Sequence, residues 1–576
     1  YNVNGTQELR WLSANSTLNY ITNSPRDSWH KVSMSRNGSN RSIVFDGVSY
    51  GPYNWSEYSL GTGKFRFRIV PTTIQYIDNV RVRKWVATQP VVSLGSAENI
   101  EWTGAVSNSW TEPGNWSTGF VPESHNDVVI PAGATNDPEI SGTVSINSMV
   151  VDPSANVTVL SEGNLDAATI TINSSDTRHN GSLKNLGSVT GTVIYNRYLL
   201  PKASGGDWQL ISSPVANNTS DNVDDISRAK AWDELTGAWN NGSGMINLPR
   251  GRGYNLKQIE TGDGIVTFTG ELLEDVVTVD VTSPFQNSYD GSAANYLRGY
   301  ADGTGNSGII RDGDALWGGG GWNLLGNPFT SALSVSRFID QNDGTGWTDN
   351  QFDPSYVALY IHEGAAYLGT SPTYKFVSLS TGWEDFVGGE HINAENIQVG
   401  QGFFVLAMND ASTFTFTRDM QEHDGSIPLL KSARSDERWP GLKLSIKAGS
   451  VERSTLIVYG ENMTVGLDPA FDVGQYANYS ELEIYTTLAG QDNGVNFARQ
   501  ALPMADYSTI KTPVGIDFET GGSVSFSAES VPVGSNKFWL EDRTTGIFTD
   551  LSTKSYTVTL PAGTYGTGRF YIIASA

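Results

Sequence analysis

Two stretches decide the fold: Trp322-Asn-Leu-Leu-Gly-Asn-Pro-Phe329 and, upstream, Trp208-Gln-Leu-Ile-Ser-Ser-Pro-Val215. Each opens on tryptophan, runs through apolar residues and closes on proline, the pattern of a short buried strand stopped by a turn. Further landmarks follow both in one order. Two aromatics stand seven residues apart, Trp232 and Trp239 after the first run and Tyr360 and Tyr367 after the second. Next comes G-x-G with an aromatic, Gly251-Arg-Gly-Tyr254 and Gly400-Gln-Gly-Phe403, and then Phe268-Thr-Gly-Glu-Leu272 against Phe416-Thr-Arg-Asp-Met420. Shared order makes residues 196–425 a duplicated β-domain with copies at about 196–285 and 310–425, and the insertions at 300–321 and 369–396 become loops on a face. Trp208 and Trp322 are expected in its core. At the end of the two runs only the proline is held, as a turn requires.

The G-x-G elements are not read as phosphate loops. A dinucleotide site needs a strand, a continuing glycine pattern and a helix, whereas these glycines stand between β-runs. They are expected where the backbone turns with positive φ or meets a bulky neighbour.

The composition agrees with β-structure. Charged residues make up 17%, and 62 glycines punctuate short runs of Val, Ile, Thr, Tyr and Phe. The nearest approach to an amphipathic helix is Ser334 to Asp340. At 576 residues the chain exceeds one core, and size alone suggests about three to five domains. A net charge of -24 argues against nucleic acid, which needs a basic stripe to displace counterions. The absence of cysteine excludes disulfides, zinc-thiolate sites and thiol nucleophiles. No apolar run approaches the length that spans a bilayer.

Around the duplicated domain the chain divides as follows. Residues 1–88 alternate like strands, and 89–100 read as a linker. Residues 101–195 carry short β-runs mostly ten to thirteen residues apart with Gly and Asn between, which suits parallel β-solenoid coils or an ordinary sandwich. Residues 426–440 read as a second linker, and 441–576 as an Ig-like sandwich of seven or more strands. The fold class is therefore all-β, with several domains in a row.

Three groups of residues carry a family resemblance. The pattern W-H-x-V-x-x-x-R-x-G from Trp29 to Gly38, followed by Phe45-Asp-Gly-Val48 and Tyr76-Ile-Asp-Asn-Val80, resembles the later half of a laminin-G or concanavalin-like jelly roll. The opening from Trp102 through Trp110 and Trp116 resembles large secreted proteins of the Bacteroidetes. The duplicated runs with Val399-Gly-Gln-Gly-Phe-Phe-Val405, and the tail Phe538-Trp-Leu-Glu-Asp-Arg-Thr-Thr-Gly-Ile-Phe548 with Thr567-Gly-Arg-Phe570, resemble surface proteins of gliding bacteria exported by type IX secretion. The resemblance implies an extracellular protein, at the cell surface or secreted, whose final sandwich precedes a sorting domain that a sortase removes. It also implies contact with the outer-membrane secretion machinery during export, and a jelly roll that continues ahead of Tyr1. Two functions follow as expectations. One is a cell-surface adhesin or scaffold that contacts glycans or other surface proteins, and the other is the non-catalytic accessory region of a secreted polysaccharide-degrading enzyme.

The search for chemistry returns little that is specific. Six histidines show no H-E-x-x-H spacing, and no G-x-S-x-G elbow or S-x-x-K occurs, so no catalytic residue is assigned. His362-Glu363 reads as a pair at a strand end. Exposed aromatics stack on sugar rings, which makes Trp317 and Trp347 the candidate ligand contacts, with Trp110 and Trp116 a further aromatic cluster near loops. Two acidic, glycine-rich loops offer oxygen ligands for Ca²⁺: Asp302, Asp312 and Asp314 in one, and Asp343, Asp349 and Asp353 in the other. Neither follows the EF-hand order, and Asx and Gly turns explain the same residues. Calorimetric titration of Ca²⁺ into metal-free protein is expected to release or absorb heat if either loop binds the ion, and its absence at millimolar metal would overturn the assignment.

Overall fold

In the computed structural model, residues 99–575 are described apart from internal stretches, the longest being 200–207, 289–296, 301–320, 364–372 and 424–437; before residue 99 only strands are described. The chain divides into two compact units, Tyr1–Ala97 and Glu98–Ala576. In the first, Val32–Asn37, Asn40–Phe45 and Val48–Asn54 form an antiparallel meander, with Phe45 opposite Val48. The expected strands at 64–70 and 76–85 lie outside the described residues.

The second unit begins as a parallel coil. Ile100–Glu101, Asp127–Ile130, Thr143–Val151, Asn164–Asn173 and Ser188–Tyr198 lie side by side in chain order, all parallel. Glu139–Ile140, Asn156–Val159 and Ser182–Asn185 form a second parallel sheet from the same coils. Parallel neighbours put like residues in stacked columns. Ile130, Val151, Ile172 and Tyr195 are in register through successive coils, and Phe268 continues the column from an antiparallel strand, Ile265–Gly270. All five are buried. Period-two alternation buries one face of each strand, which is why Val128, Met149, Ile170 and Val193 form the next inward column.

An exposed sheet edge invites pairing with other chains, and the tryptophan-rich opening covers the first one. Trp102, Trp110 and Trp116 are buried against each other, with ring centroids 5.0 Å apart for Trp102–Trp116 and 4.7 Å for Trp110–Trp116. The fully buried Asn115 side chain accepts from the Val106 and Ser107 amides and donates to Ser109 O. Trp110 and Trp116, expected among accessible aromatics, are thus core residues of this cap, because their rings pack edge to face where water is excluded.

The duplicated region contains two four-stranded sheets of one strand order. The first runs Gln209–Ser212, Gly253–Gln258, Ile226–Asp233, Ala238–Asn240, and the second runs Trp322–Gly326, Gly402–Leu406, Leu359–Glu363, Thr373–Val377. The register moves one of the sequence landmarks. Lys230 lies opposite Asn255, while Tyr360 lies opposite Phe404, and Asn255 and Phe404 are both two residues beyond the second G-x-G glycine. Lys230, rather than Trp232, is therefore the counterpart of Tyr360. In the hairpins Trp232 faces Trp239 but Tyr360 faces Phe376, whereas Tyr367 lies outside the described residues. A shift of two preserves the sheet face, so the aromatics kept their side of the sheet without keeping their rung.

The two sheets meet reciprocally. Ile211 bridges Gln401 and Leu325 bridges Arg252, so the first strand of each copy touches the G-x-G of the other. Ser212 N donates to Gly400 O at 3.0 Å, and Gly326 N donates to Gly251 O at 2.9 Å. Both reasons foreseen for the glycines operate, one at each position. Gly251 and Gly400 have φ of +82° and +63°, while a Cβ on Gly253 would sit 2.5 Å from Leu325 O. A Cβ on Gly326 would overlap Ser212, its counterpart. The polar residue before each proline also has a shared role: Phe329 N donates to Asn327 Oδ1, and Val215 N to Ser213 Oγ, each bond spanning two residues.

Trp322 is buried, but Trp208 is only partly so and lies under the Lys230 ammonium, 4.4 Å from its ring centroid. The expectation of two core tryptophans thus holds for one. In the second copy the corresponding face is apolar and packs on the C-terminal part: Trp322 stands 4.9 Å from Tyr360 and 4.6 Å from Tyr476, in one cluster with Leu467, Val473 and Phe497. In the first copy Lys230 and Asn255 occupy that face, and water reaches Trp208.

Residues 441–575 form one open sheet of eleven strands, from Ile547–Asp550 at one edge to Tyr556–Leu560 at the other. The sheet curls over itself, because Phe526 and Phe570, on well-separated strands, have ring centroids 4.9 Å apart. An Ig-like sandwich was expected, and its strands are joined here in one continuous ladder that closes over a single core. The preceding linker ends in an anchor, with Trp439 stacked 5.5 Å from Phe471 and its amide bonded to Thr381 O. One α-helix, Val335–Asp343, occurs among the described residues, over the stretch flagged as helix-like. None of them forms a helix long and apolar enough to cross a membrane.

Gly253→Ala is expected to lower stability by about 2 kcal/mol through overpacking against Leu325 O. Gly142→Ala, at an open exposed position, is expected to change it by less than about 0.5 kcal/mol. Urea unfolding of the two variants checks the difference, and equal effects would refute the close approach.

Candidate functional site at a polar seam

Trp317, Trp347, Asp302, Asp312, Asp314 and Asp349 lie outside the described residues. Asp343 ends the helix Val335–Asp343. Burial, and then the neighbouring Asp340 charge, push its carboxyl up to about 6 against the pull of a hydrogen bond from Asn350. Asp353 is fully buried and accepts from Ser355 N at 3.0 Å, capping the short turn Pro354–Tyr356. Among the described residues no group of three or more His, Cys, Asp or Glu is placed to hold a metal. His362 and Glu363 close the strand Leu359–Glu363.

The structure instead brings polar side chains together where the solenoid meets the second copy. The parallel strands Asn156–Val159 and Ser182–Asn185 present Thr158, Ser182 and Lys184 to the segment after the turn Arg418–Met420. His423 lies between them, its Nε2 2.8 Å from Thr158 Oγ1 and its Nδ1 2.8 Å from Ser182 Oγ. Beside it Glu422 pairs with Lys184 at 3.4 Å and with Arg337 at 2.5 Å. Gln421 Nε2 donates to Asn185 O at 2.7 Å while its Oε1 accepts from Asn185 N, and Arg418 donates to Asn185 O and Gly187 O. A backbone contact continues the seam: Leu183 N donates to Thr330 O, and Thr330 Oγ1 donates to Leu183 O.

Burial, and then the Lys184 charge, hold the His423 imidazole well down, at about 4, so the ring is neutral at pH 7. In a neutral ring one nitrogen donates and the other accepts, and two flanking hydroxyls satisfy either assignment. The Ser182–His423 contact has the form of a nucleophile and its base. The second ring nitrogen, however, faces Thr158 rather than an orienting carboxylate, and Ser182 is 1% exposed, out of reach of a substrate. As built, the group holds two surfaces together. Sequence reading missed it because Ser182 and His423 are distant in the chain and each is unremarkable locally. The one local signal is Gln421-Glu-His423, three polar residues directly after the predicted Phe416–Met420 landmark.

A second convergence lies in the tail motif. Asp542 is buried, accepts two bonds from Arg569 (3.0 and 2.8 Å) and one from Tyr556 Oη (2.8 Å), and caps its own turn through Thr544 N (3.0 Å). Burial opposes its charge, but the Arg569 bonds, followed by those from Tyr556 and Thr544, bring its carboxyl to about 2. Tyr556 lies on one edge strand and Asp542 beside the other, so this group draws the open sheet's two ends together. The tail resemblance therefore rests on a structural latch.

A parallel β-solenoid, a duplicated β-unit and a curled sheet, joined by shared cores and polar seams, make this an all-β multi-part protein. Residues 101–573 match the model of a family described as a domain of unknown function, DUF8693, and the chain belongs to that family. No curated protein and no solved structure matches it. The match opens beside the cap tryptophans and closes in the last strand, Phe570–Ser575, so the three parts form a single inherited unit.

The folded-state carboxyl of Asp542 ionises below its ordinary value of 3.8, so its contribution is complete above that pH and is lost as pH falls through about 2. Asp542→Asn is expected to lose about 2 kcal/mol at neutral pH. The gap to wild type should narrow below pH 3.8. Urea midpoints of both proteins at pH 7 and pH 2.5 check this, and a gap independent of pH would refute it.

Proposed function

We propose that the chain is a cell-surface adhesin or scaffold, displayed outside the cell by type IX secretion and binding glycans through the loops inserted in its duplicated domain. The observation that carries this reading is the join between the second copy and the C-terminal part. Tyr360 Oη donates to Gly474 O at 2.6 Å, and Tyr356, Trp322 and Tyr476 pack in one core, so the two parts share a buried interface. A continuous β-body suits display, because it holds a binding loop at a fixed place relative to its anchor, and loops on a rigid scaffold are where recognition residues concentrate. The expected contact Trp317 falls in the inserted loop 300–321, and Trp347 in the acidic, glycine-rich stretch between Asp343 and Asp353. The export route rests on the resemblance of the duplicated runs and the tail.

Wild-type protein is expected to bind a subset of a glycan array or intact cells, Trp347→Ala to lose at least tenfold in that binding, and neither to release reducing sugar. Surface exposure should disappear in a host strain lacking the type IX machinery. Sugar release from a bound polysaccharide, or full binding by Trp347→Ala, would overturn the respective parts.

A further inference from the structure

We propose that the seam between the solenoid and the second β-unit is an acid-sensitive latch, closed by neutral His423 and loosened when that ring takes up a proton. The geometry that points to this is the position of the imidazole between surfaces contributed by two parts of the fold. Thr158 and Ser182 belong to neighbouring solenoid coils, and His423 belongs to the segment that leaves the second copy. Hydrogen bonds and an ion pair flank it: Gln421 with Asn185, Glu422 with Lys184, Thr330 with Leu183. A polar seam depends on its charge balance more than an apolar core does.

The charged groups around the ring come from each element packed there. Lys184 faces it from the strand Ser182–Asn185, Glu139 stands opposite Thr158 on the strand Glu139–Ile140, and Glu422 precedes it on its own segment. Arg337 reaches Glu422 from the helix Val335–Asp343, and Arg418 and Asp419 belong to the adjoining turn. Glu422 is already shared by two cations, Lys184 and Arg337, so a third positive charge on His423 finds no unshared carboxylate in that pair. Both hydroxyls would then have to act as acceptors, giving up whichever donation now fixes the ring, while the imidazolium lies in a poorly solvated position beside Lys184.

The sign follows from the depressed basicity of the ring. In the open seam His423 has its ordinary value of 6.5, and in the closed seam about 4. Open protein therefore binds the extra proton, and the closed form weakens as pH falls from 6.5 towards 4, with the loss complete below that. Backbone contacts such as Leu183 N to Thr330 O would persist in part, so the expected result is enhanced local opening rather than separation of the two parts.

Hydrogen exchange on the full chain tests the latch, read as protection factors corrected for the intrinsic effect of pH. Between pH 7 and pH 4.5, protection of the Leu183 and Asn185 amides should fall on the order of tenfold relative to amides of the strand Gly441–Ala448. In His423→Gln, whose amide can still bond both hydroxyls and carries no titrating group, that fall should vanish. Unchanged protection in wild type, or an equal fall in the variant, would overturn the proposal. If His423→Gln does not fold, histidine-selective NMR of wild type decides: a set of six histidines that all titrate near the ordinary value would overturn it, and one that remains neutral to below pH 5 would support it.

Discussion

The whole second unit depends on a close approach between two backbones at the centre of the duplicated region. Ser212 and Gly326, equivalent residues of the two copies, meet where one of them must lack a side chain. Around them the first strand of each copy bonds to the G-x-G of the other, at Ile211–Gln401 and Arg252–Leu325. Such reciprocity leaves little freedom. Each copy supplies the other with an edge partner, which removes exposed ladder groups that would otherwise invite aggregation. The steric requirement explains why the glycines outlast the aromatics in the comparison of the copies. A glycine with φ of +82° or beneath a carbonyl oxygen has no substitute, whereas an aromatic can move one rung along a face and still fill a core.

From this centre the fold grows by sharing cores rather than by stringing domains. Residues of the first copy, among them Ile211, Val215 and Tyr254, join the solenoid's cluster, and so does Val399 from the second copy. Trp322 and Tyr360 join that of Tyr476 and Phe497. Composition marked 426–440 as a linker, yet its last residues dock by stacking Trp439 on Phe471. The family match over residues 101–573 follows the same logic, since parts that complete each other's cores cannot be exchanged singly.

Polar groups were spent unevenly. The tail latch around Asp542 gathers a carboxylate, a guanidinium and a phenol at the closing edge of the curled sheet. The seam around His423 uses a neutral ring between hydroxyls, flanked by Lys184, Glu422 and Arg337. The first needs its charge to stabilise the fold and the second needs its ring uncharged, so proton uptake weakens both, removing a charge in one and adding a charge in the other.

The all-β class, the duplication, the turn-ending prolines and the reasons for the glycines could all be read from the chain alone. They follow from local rules: alternation of buried positions, backbone sterics and the geometry of turns. The parallel course of the solenoid strands, the burial of Trp110 and Trp116, the partial burial of Trp208 and the single eleven-stranded sheet were decided by tertiary structure. Short apolar runs look alike whether their neighbours are parallel or antiparallel, and a tryptophan is covered only if something packs over it. The seam histidine is the extreme case. Beyond the polar run Gln421-Glu-His423 nothing in the chain marks it, because what keeps it neutral is burial and then the Lys184 charge, brought to it from the far side of the chain's long return.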